Sequence, residues 1–177
     1  MELSFAEKLI LIMLSEIHQS LKVKGEIDPA FVQKAIFNEA FWSLTWKYPG
    51  LVGSGQSTRP HHVQEVLDIL EMWEGLEESY KRLPPEGKDK VRAEANRFGT
   101  SVRFPGFDGN HETEYLGAAK TLIDDLDGFT TFSGRDLNSH MPLLATYQHM
   151  VEVYRALSRT PSSGLLSADQ LIQVLNA

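Results

Sequence analysis

Apolar residues recur at helical spacing along most of the chain, and clear stop signals separate the stretches. Ser4 and Glu7 form an S-x-x-E capping box before the apolar run Leu9 to Leu14. The first helix is therefore expected from Phe5 to about Val23, with Gly25 as its stop. Glu7, Lys8, Ser15, His18, Gln19 and Lys22 share one stripe of it. Phe5, Leu9, Ile10, Ile12, Met13, Leu14, Ile17 and Leu21 cover most of the rest. A helix apolar around most of its circumference is expected to be buried by several neighbours. Leu11, inside the polar stripe, reads as an isolated exposed leucine, with a subunit contact as the alternative.

Asp28-Pro29 is a capping residue followed by proline at the first helical position, so a second helix is expected over about 29–47. Its end is crowded with Phe37, Phe41, Trp42, Trp46 and Tyr48. Pro49-Gly50 stops it, and 49–60 reads as a loop. A third helix over about 60–83 shows the clearest period, with Gln64, Asp68, Glu71, Gly75, Glu78 and Arg82 on a solvent stripe. Its surplus of acids reads as a solvated face. After Pro84-Pro85, the stretch 86–97 lacks an apolar stripe and is expected to be a short or mobile helix. A fifth helix follows over about 109–126, capped by Asp108. A sixth begins near Pro142, with Leu143, Tyr147, Met150, Tyr154 and Leu157 inward and Gln148, Glu152, Arg155 and Arg159 outward. Pro161 to Gly164 breaks the chain, and the capping box Ser167/Gln170 opens a last helix. The loops 103–110 and 128–140 are rich in aromatic residues and glycine. The expected fold class is all-α: a single compact domain over 1–177 of about six to seven helices without a substantial sheet. The loop 49–60 is the best internal boundary.

Composition narrows the classes. The chain has 177 residues, 42% hydrophobic and 23% charged, which is globular and neither disordered nor fibrous. Net charge is −7. Non-specific nucleic-acid binding rests on Lys and Arg at phosphates, so an acidic chain is a poor candidate for it. The one basic stretch, Lys88 to Arg103, carries five bases and two acids. Without cysteine there is no disulfide, thiolate metal site or cysteine nucleophile. Glu2 and Glu7 precede an apolar run of only six residues, which is neither a secretory signal nor a membrane span. The expectation is a soluble cytoplasmic protein.

The candidate chemistry is sparse. His62/Glu65 and His111/Glu114 are i,i+3 pairs, each able to offer two metal ligands, but spacing fixes no third ligand. Asp124, Asp125, Asp127 and Gly128 do not fit a calcium loop, because Gly134 falls where the twelfth-position acid belongs. Those three acids oppose the dipole of the helix they end, so fraying or a basic neighbour is expected. No phosphate-cradling glycine motif or nucleophile elbow occurs. Ser139-His140 and Asp136 lie close in sequence, which says little about a triad assembled through space. No catalytic residue, metal site or cofactor is assigned.

Five patches carry a family resemblance: L-I-L-I-M-L (9–14), V-x-D-I-L-E-M-W-x-x-L (66–76), G-F-D-x-x-x-E-x-x-Y-L-G (106–117), N-S-x-x-P-x-x-x-x-Y-Q-x-M (138–150) and L-S-A-D-Q-L-I-Q-V-L-N-A (166–177). In these the chain resembles the YfbU family of bacterial proteins. The patterns at 106–117 and 138–150 are the most specific, and 28–62 and 84–103 match poorly. The resemblance implies an all-helical, soluble, cytoplasmic protein and carries over no catalytic or binding residue. It draws attention to Asp108, Glu112, Tyr115 and Asn138. Their plain readings are caps (Asp108, Asn138), an acid favouring the dipole of its own first turn (Glu112) and a core tyrosine (Tyr115).

The functional expectation is a non-catalytic interaction or regulatory module forming a homo-oligomer, with no membrane and no nucleic-acid partner. The alternative is a small-ligand site or hydrolase between loops 103–110 and 128–140, using Asp108, His111, Glu112, Asn138 or His140. A third reading is a DNA-binding regulator using 88–103.

Overall fold

The computed structural model describes residues 3–51, 59–158 and 165–177. The expected loop over 52–58, Arg159 and the break from Pro161 to Gly164 lie outside them. Among the described residues the chain is all-α, with eight α-helices and no strand. It divides into two compact units, Met1–Pro60 and His61–Ala177, and the division falls at the end of the loop 49–60.

The first unit contains α1 (Phe5–Ser20), α2 (Pro29–Phe37) and α3 (Phe41–Lys47). The capping box opens α1 as the sequence suggests: Ser4 Oγ accepts from the Glu7 N–H, and the Glu7 carboxylate accepts from the Ser4 N–H. The helix stops earlier than Val23. Lys22 takes a left-handed conformation (φ 50°), its N–H donates to the Gln19 carbonyl, and the Val23 N–H donates to the His18 carbonyl. That is a Schellman closure with lysine where glycine is usual. The expected single helix over 29–47 is two helices for the same reason. Glu39 is left-handed (φ 54°), its N–H donates to the Ile36 carbonyl, and the Ala40 N–H donates to the Ala35 carbonyl.

The burial of α1 is the reverse of expectation. Its helix packs on α2 with the stripe that holds Ser15, which is buried, and Lys8, Leu11 and His18, which are half-buried. Ser15 Oγ donates to the Leu11 carbonyl, so the small hydroxyl enters the packed face already hydrogen-bonded. The apolar side looks outward: Phe5 is 81% exposed, and Leu9, Ile10, Met13, Leu14, Ile17 and Leu21 are also exposed. Leu11, read as exposed, is half-buried. The core of this unit is small, built on Phe31, Ala35, Ile36 and Ala40.

The second unit is organised on α4 (His61–Arg82), which packs against α6 (Thr113–Lys120), α7 (Leu144–Ser158) and α8 (Ala168–Leu175), while α5 (Pro85–Glu94) packs on α8. Val63, Val66, Ile69, Leu70, Met72, Trp73 and Leu76 of α4 are buried. The Trp73 ring meets Phe98, Phe104 and Tyr147 with centroids 5.2, 5.9 and 6.0 Å away. Phe104 continues the cluster to Phe107 and Phe132. The two aromatic loops thus deliver Phe104, Phe107 and Phe132 to the core, while Phe129 stays half-buried. Gly75, read as part of the solvent stripe, is half-buried, and the space its side chain would fill is taken by the Tyr154 hydroxyl of α7.

The expected helix over 109–126 begins late and changes pitch. It is α-helical only over 113–120, then widens into a π turn over 121–125, closed by the Leu126 N–H donating to the Thr121 carbonyl. The chain with its three acids does not continue as α-helix. Left-handed Asp127 and Phe129 then turn it away around Gly128. Among the described residues no helix is long and apolar enough to cross a membrane.

Lys22 and its Cβ occupy a backbone conformation that disfavours side chains by roughly 1–2 kcal/mol. Lys22→Gly should therefore stabilise the first unit by about 0.5–1 kcal/mol after the added freedom of the unfolded chain is counted. Lys22→Ala should give no such gain. Urea unfolding followed by circular dichroism measures both.

Candidate functional site

The five candidate residues lie on two segments, 106–112 and 136–144, that run side by side. The Phe107 N–H donates to the Leu137 carbonyl, and the Ser139 N–H donates to the Phe107 carbonyl. These make an isolated parallel bridge between Phe107 and Asn138. Gly106 sits at φ 92°, and a Cβ there would collide with the Leu137 backbone. Only glycine allows so close an approach. The Tyr147 hydroxyl donates to the Gly106 carbonyl from beneath, at 2.8 Å. Burial pushes the Tyr147 phenol well above its usual range.

Glu112 is the centre of the arrangement. It is buried, at 5% exposure, and its carboxylate accepts three backbone N–H groups. Oε1 takes those of Leu143 (2.6 Å) and Leu144 (2.7 Å), and Oε2 takes that of Asp108 (2.8 Å). Leu144 is the first residue of α7. Glu112 therefore caps α7 from a different segment, and its charge meets the N-terminal dipole of that helix. The reading of Glu112 as an acid for its own helix has the right physics at the wrong helix. The helix expected from Pro142 begins two residues later, where this cap acts.

Asp108 is buried, but the helix it was expected to cap begins only at Thr113. Its Oδ1 accepts from the Asn110 N–H, and its Oδ2 meets His111 Nδ1 at 2.5 Å. The hydrogen bond to His111 and then that to Asn110 hold its carboxyl below the usual range, against a smaller opposing effect of burial. The His111 ring is 71% exposed. Asn138 caps no helix either. Its Oδ1 accepts from the Gly109 and His140 N–H groups and ties the segments together. His140 is exposed and left-handed (φ 55°). Ser139 Oγ donates to the Met141 carbonyl.

Two acids of α4, Glu77 and Glu65, that the sequence did not single out for these roles hold neighbouring segments to the helix. Glu77 forms a two-pronged pair with Arg135 (2.7 and 2.9 Å) and accepts the Phe104 N–H. Glu65 accepts from Tyr115 Oη and Gln148 Nε2, both at 2.7 Å. Burial raises the Glu65 carboxyl, but these bonds and His61 outweigh it and leave it lowered. Burial and Glu65 push the Tyr115 phenol up to about 12. His61, not His62, pairs with Glu65, at i,i+4 spacing, and His62 lies against the Tyr115 ring. In the basic stretch, Lys90 is paired with Asp169 and Arg92 with Asp89. Among the described residues no three His, Asp or Glu side chains gather as a metal site.

The family model described as the YfbU domain matches residues 1–177. This chain belongs to the YfbU family. A UPF0304 protein of Actinobacillus succinogenes is 26% identical over 183 residues, covering all of both chains. A UPF0304 protein of Methanocaldococcus jannaschii is 31% identical over 119 residues, covering 64% of this chain and 66% of that protein. In this YfbU chain the residues of the G-F-D-x-x-x-E-x-x-Y pattern all have structural tasks. Gly106 permits the bridge, Phe107 is buried, Asp108 and Glu112 satisfy backbone and histidine donors, and Tyr115 holds Glu65.

Two outcomes follow for the YfbU clamp. Glu112→Ala would orphan three N–H groups, each worth about 1–3 kcal/mol when buried and unpaired, so a loss of about 3 kcal/mol or more is expected. Glu112→Gln, which keeps one acceptor oxygen, should lose about half as much, read from urea midpoints. Asp108 has a native pKa below its ordinary 3.8, so it contributes stability above that pH which is lost as pH falls through the native value. Carboxyl-carbon NMR should place the Asp108 midpoint below 3.8, and His111→Ala should move it upward. Asp108→Asn should flatten the acid limb of the stability curve.

Proposed function

We propose that this chain is a non-catalytic helical interaction module of the cytoplasm that works as a homo-oligomer, pairing through the outward face of α1 with a second copy. The observation that carries this reading is the apolar face itself. Phe5, Leu9, Ile10, Met13, Leu14, Ile17 and Leu21 form one stripe, and every one of them is exposed. From their fractional exposures the stripe presents on the order of 700 Å² of surface, close to the ~800 Å² per partner of a standard interface and above the largest patch of many monomers.

Self-complementarity favours a second copy as the occupant. The first turn of α1 carries Glu7, and the exposed residues after its end include Lys22 and Lys24. An antiparallel two-fold pairing sets Glu7 of one copy beside Lys22 of the other and opposes the two helix dipoles. The same patch meets itself, so no second kind of surface is needed. The catalytic alternative draws less support. The Glu112 carboxylate is spent on backbone N–H groups, and the Ser139 hydroxyl is turned to a backbone carbonyl rather than toward the Asp108–His111 pair. The DNA-binding alternative has Lys90 and Arg92 already engaged with acids.

Sedimentation velocity of the full chain between about 1 and 100 µM should show a dimer or a closed multiple of it. Ile10→Glu combined with Leu14→Glu should give monomer with unchanged helical content, because both side chains are exposed in the isolated chain. A wild-type monomer throughout the range, or a variant that still dimerises, would overturn the reading.

A further inference from the structure

We infer that the cavity between segments 97–105 and 136–143 of the second unit binds a small organic carboxylate with an apolar body. The cavity has a volume of about 480 Å³, within the range that holds small ligands. Its floor is apolar, formed by Phe98, Phe104 and Leu143, which are all buried members of the core. Met141, 43% exposed, stands at the wall. Phe98 and Phe104 both rest on the Trp73 ring, so the floor is rigid and not a mobile surface.

The rim carries Arg97 and Arg103, both exposed. These two differ from the other arginines of the described residues. Arg82 pairs with Glu78, Arg92 with Asp89, Arg135 with Glu77, Arg155 with Asp68, and Arg59 lies over the Trp46 ring. Arg97 and Arg103 have no acidic partner among the described residues, although acids outnumber bases by 24 to 17 in the whole chain. Two guanidinium groups outside any ion pair, at the mouth of one cavity with an apolar floor, are a recognisable chemistry. Guanidinium binds carboxylate through paired, charge-assisted hydrogen bonds. Asp136, also in the lining, has one oxygen committed to the Asn138 N–H and leaves the mouth net positive. The carboxylate of the ligand sits at the arginines and its apolar body covers Phe98 and Phe104.

The probe is 3-phenylpropionate, compared by calorimetry with its neutral amide and with inorganic phosphate. Carbon-13-labelled Met141 methyl serves as the local reporter. The carboxylate should bind saturably and shift the Met141 resonance, and the amide should bind at least about tenfold more weakly. Arg97→Ala with Arg103→Ala should abolish binding while the protein stays folded, since both side chains are exposed. Met141→Asp, a change at an exposed position that adds a negative charge, should also weaken it. No saturation up to about 10 mM, equal binding of the amide, or unchanged binding by the double variant would overturn the inference. So would phosphate binding as tightly as the carboxylate, which would show an anion site without use of the apolar floor. The result is independent of oligomeric state, because the site lies wholly within one unit of one chain.

Discussion

The buried carboxylate of Glu112 is the constraint on which the second unit depends. The first residues of α7 have no cap of their own, since Leu143, the residue before the helix, and Pro142 before it have no side-chain oxygen to accept their N–H groups. The Leu143 and Leu144 donors are satisfied only because Glu112 arrives from another segment. A carboxylate so placed must keep nearly all its acceptor positions filled, or the cost of burying its charge is not met. The third donor, from Asp108, comes from its own segment and fixes the turn that aims the side chain. Position then propagates. The segment that carries Glu112 also carries Phe107 into contact with Phe104 and Tyr147, and Tyr147 closes on Gly106. One ionised group thereby sets the register of two loops against the aromatic core.

The acids of α4 extend the same principle. An acidic helix surface is ordinarily solvated and contributes little. Here Glu65, Glu74 and Glu77 each reach a side chain from a distant segment, namely Tyr115 and Gln148, Thr131, and Arg135. They act where loops cross the flank of the helix, and the loop backbone itself is used when the Phe104 N–H donates to Glu77. The long loops of this unit have little regular structure to hold them. Hydrogen bonds to charged groups, stronger than neutral ones, take the place of a sheet.

The legibility of the sequence follows from this. Helices with local signals were readable: the two capping boxes, the Asp28-Pro29 start and the period of α4 all act within a few residues of where they are written. Two helix ends were hidden because Lys22 and Glu39, not glycine, occupy the left-handed closure. Glu112 was singled out, but its helix was not identifiable, because a cap supplied across 31 residues of chain leaves no spacing signature. Asp108 and His111 are both sequence candidates, but spacing pairs His111 equally well with Glu114, and the fold joins it to Asp108. The cavity arginines were hidden for a further reason. Their distinction is the lack of an acidic partner, which is a property of the folded neighbourhood and not of the residue. The inverted face of α1 was misread because periodicity tells which residues share a face and not which face is covered.

That inversion has an energetic meaning. A unit of about sixty residues buries only about 60% of the surface its unfolded chain exposes, and such domains are marginal. The first unit buries Phe31, Ala35, Ile36 and Ala40, two of them alanines, and turns its largest aliphatic surface outward. At about 25 cal/mol per Å², covering the α1 stripe would add more hydrophobic stabilisation than any single contact inside the unit supplies. The covered face is the less apolar one: Ser15 is small and already hydrogen-bonded to the Leu11 carbonyl, so it admits α2 at little cost, while the larger aliphatic side chains stay exposed. If the proposed pairing covers this face, the stability of the first unit must rise with protein concentration, as for any state stabilised by binding.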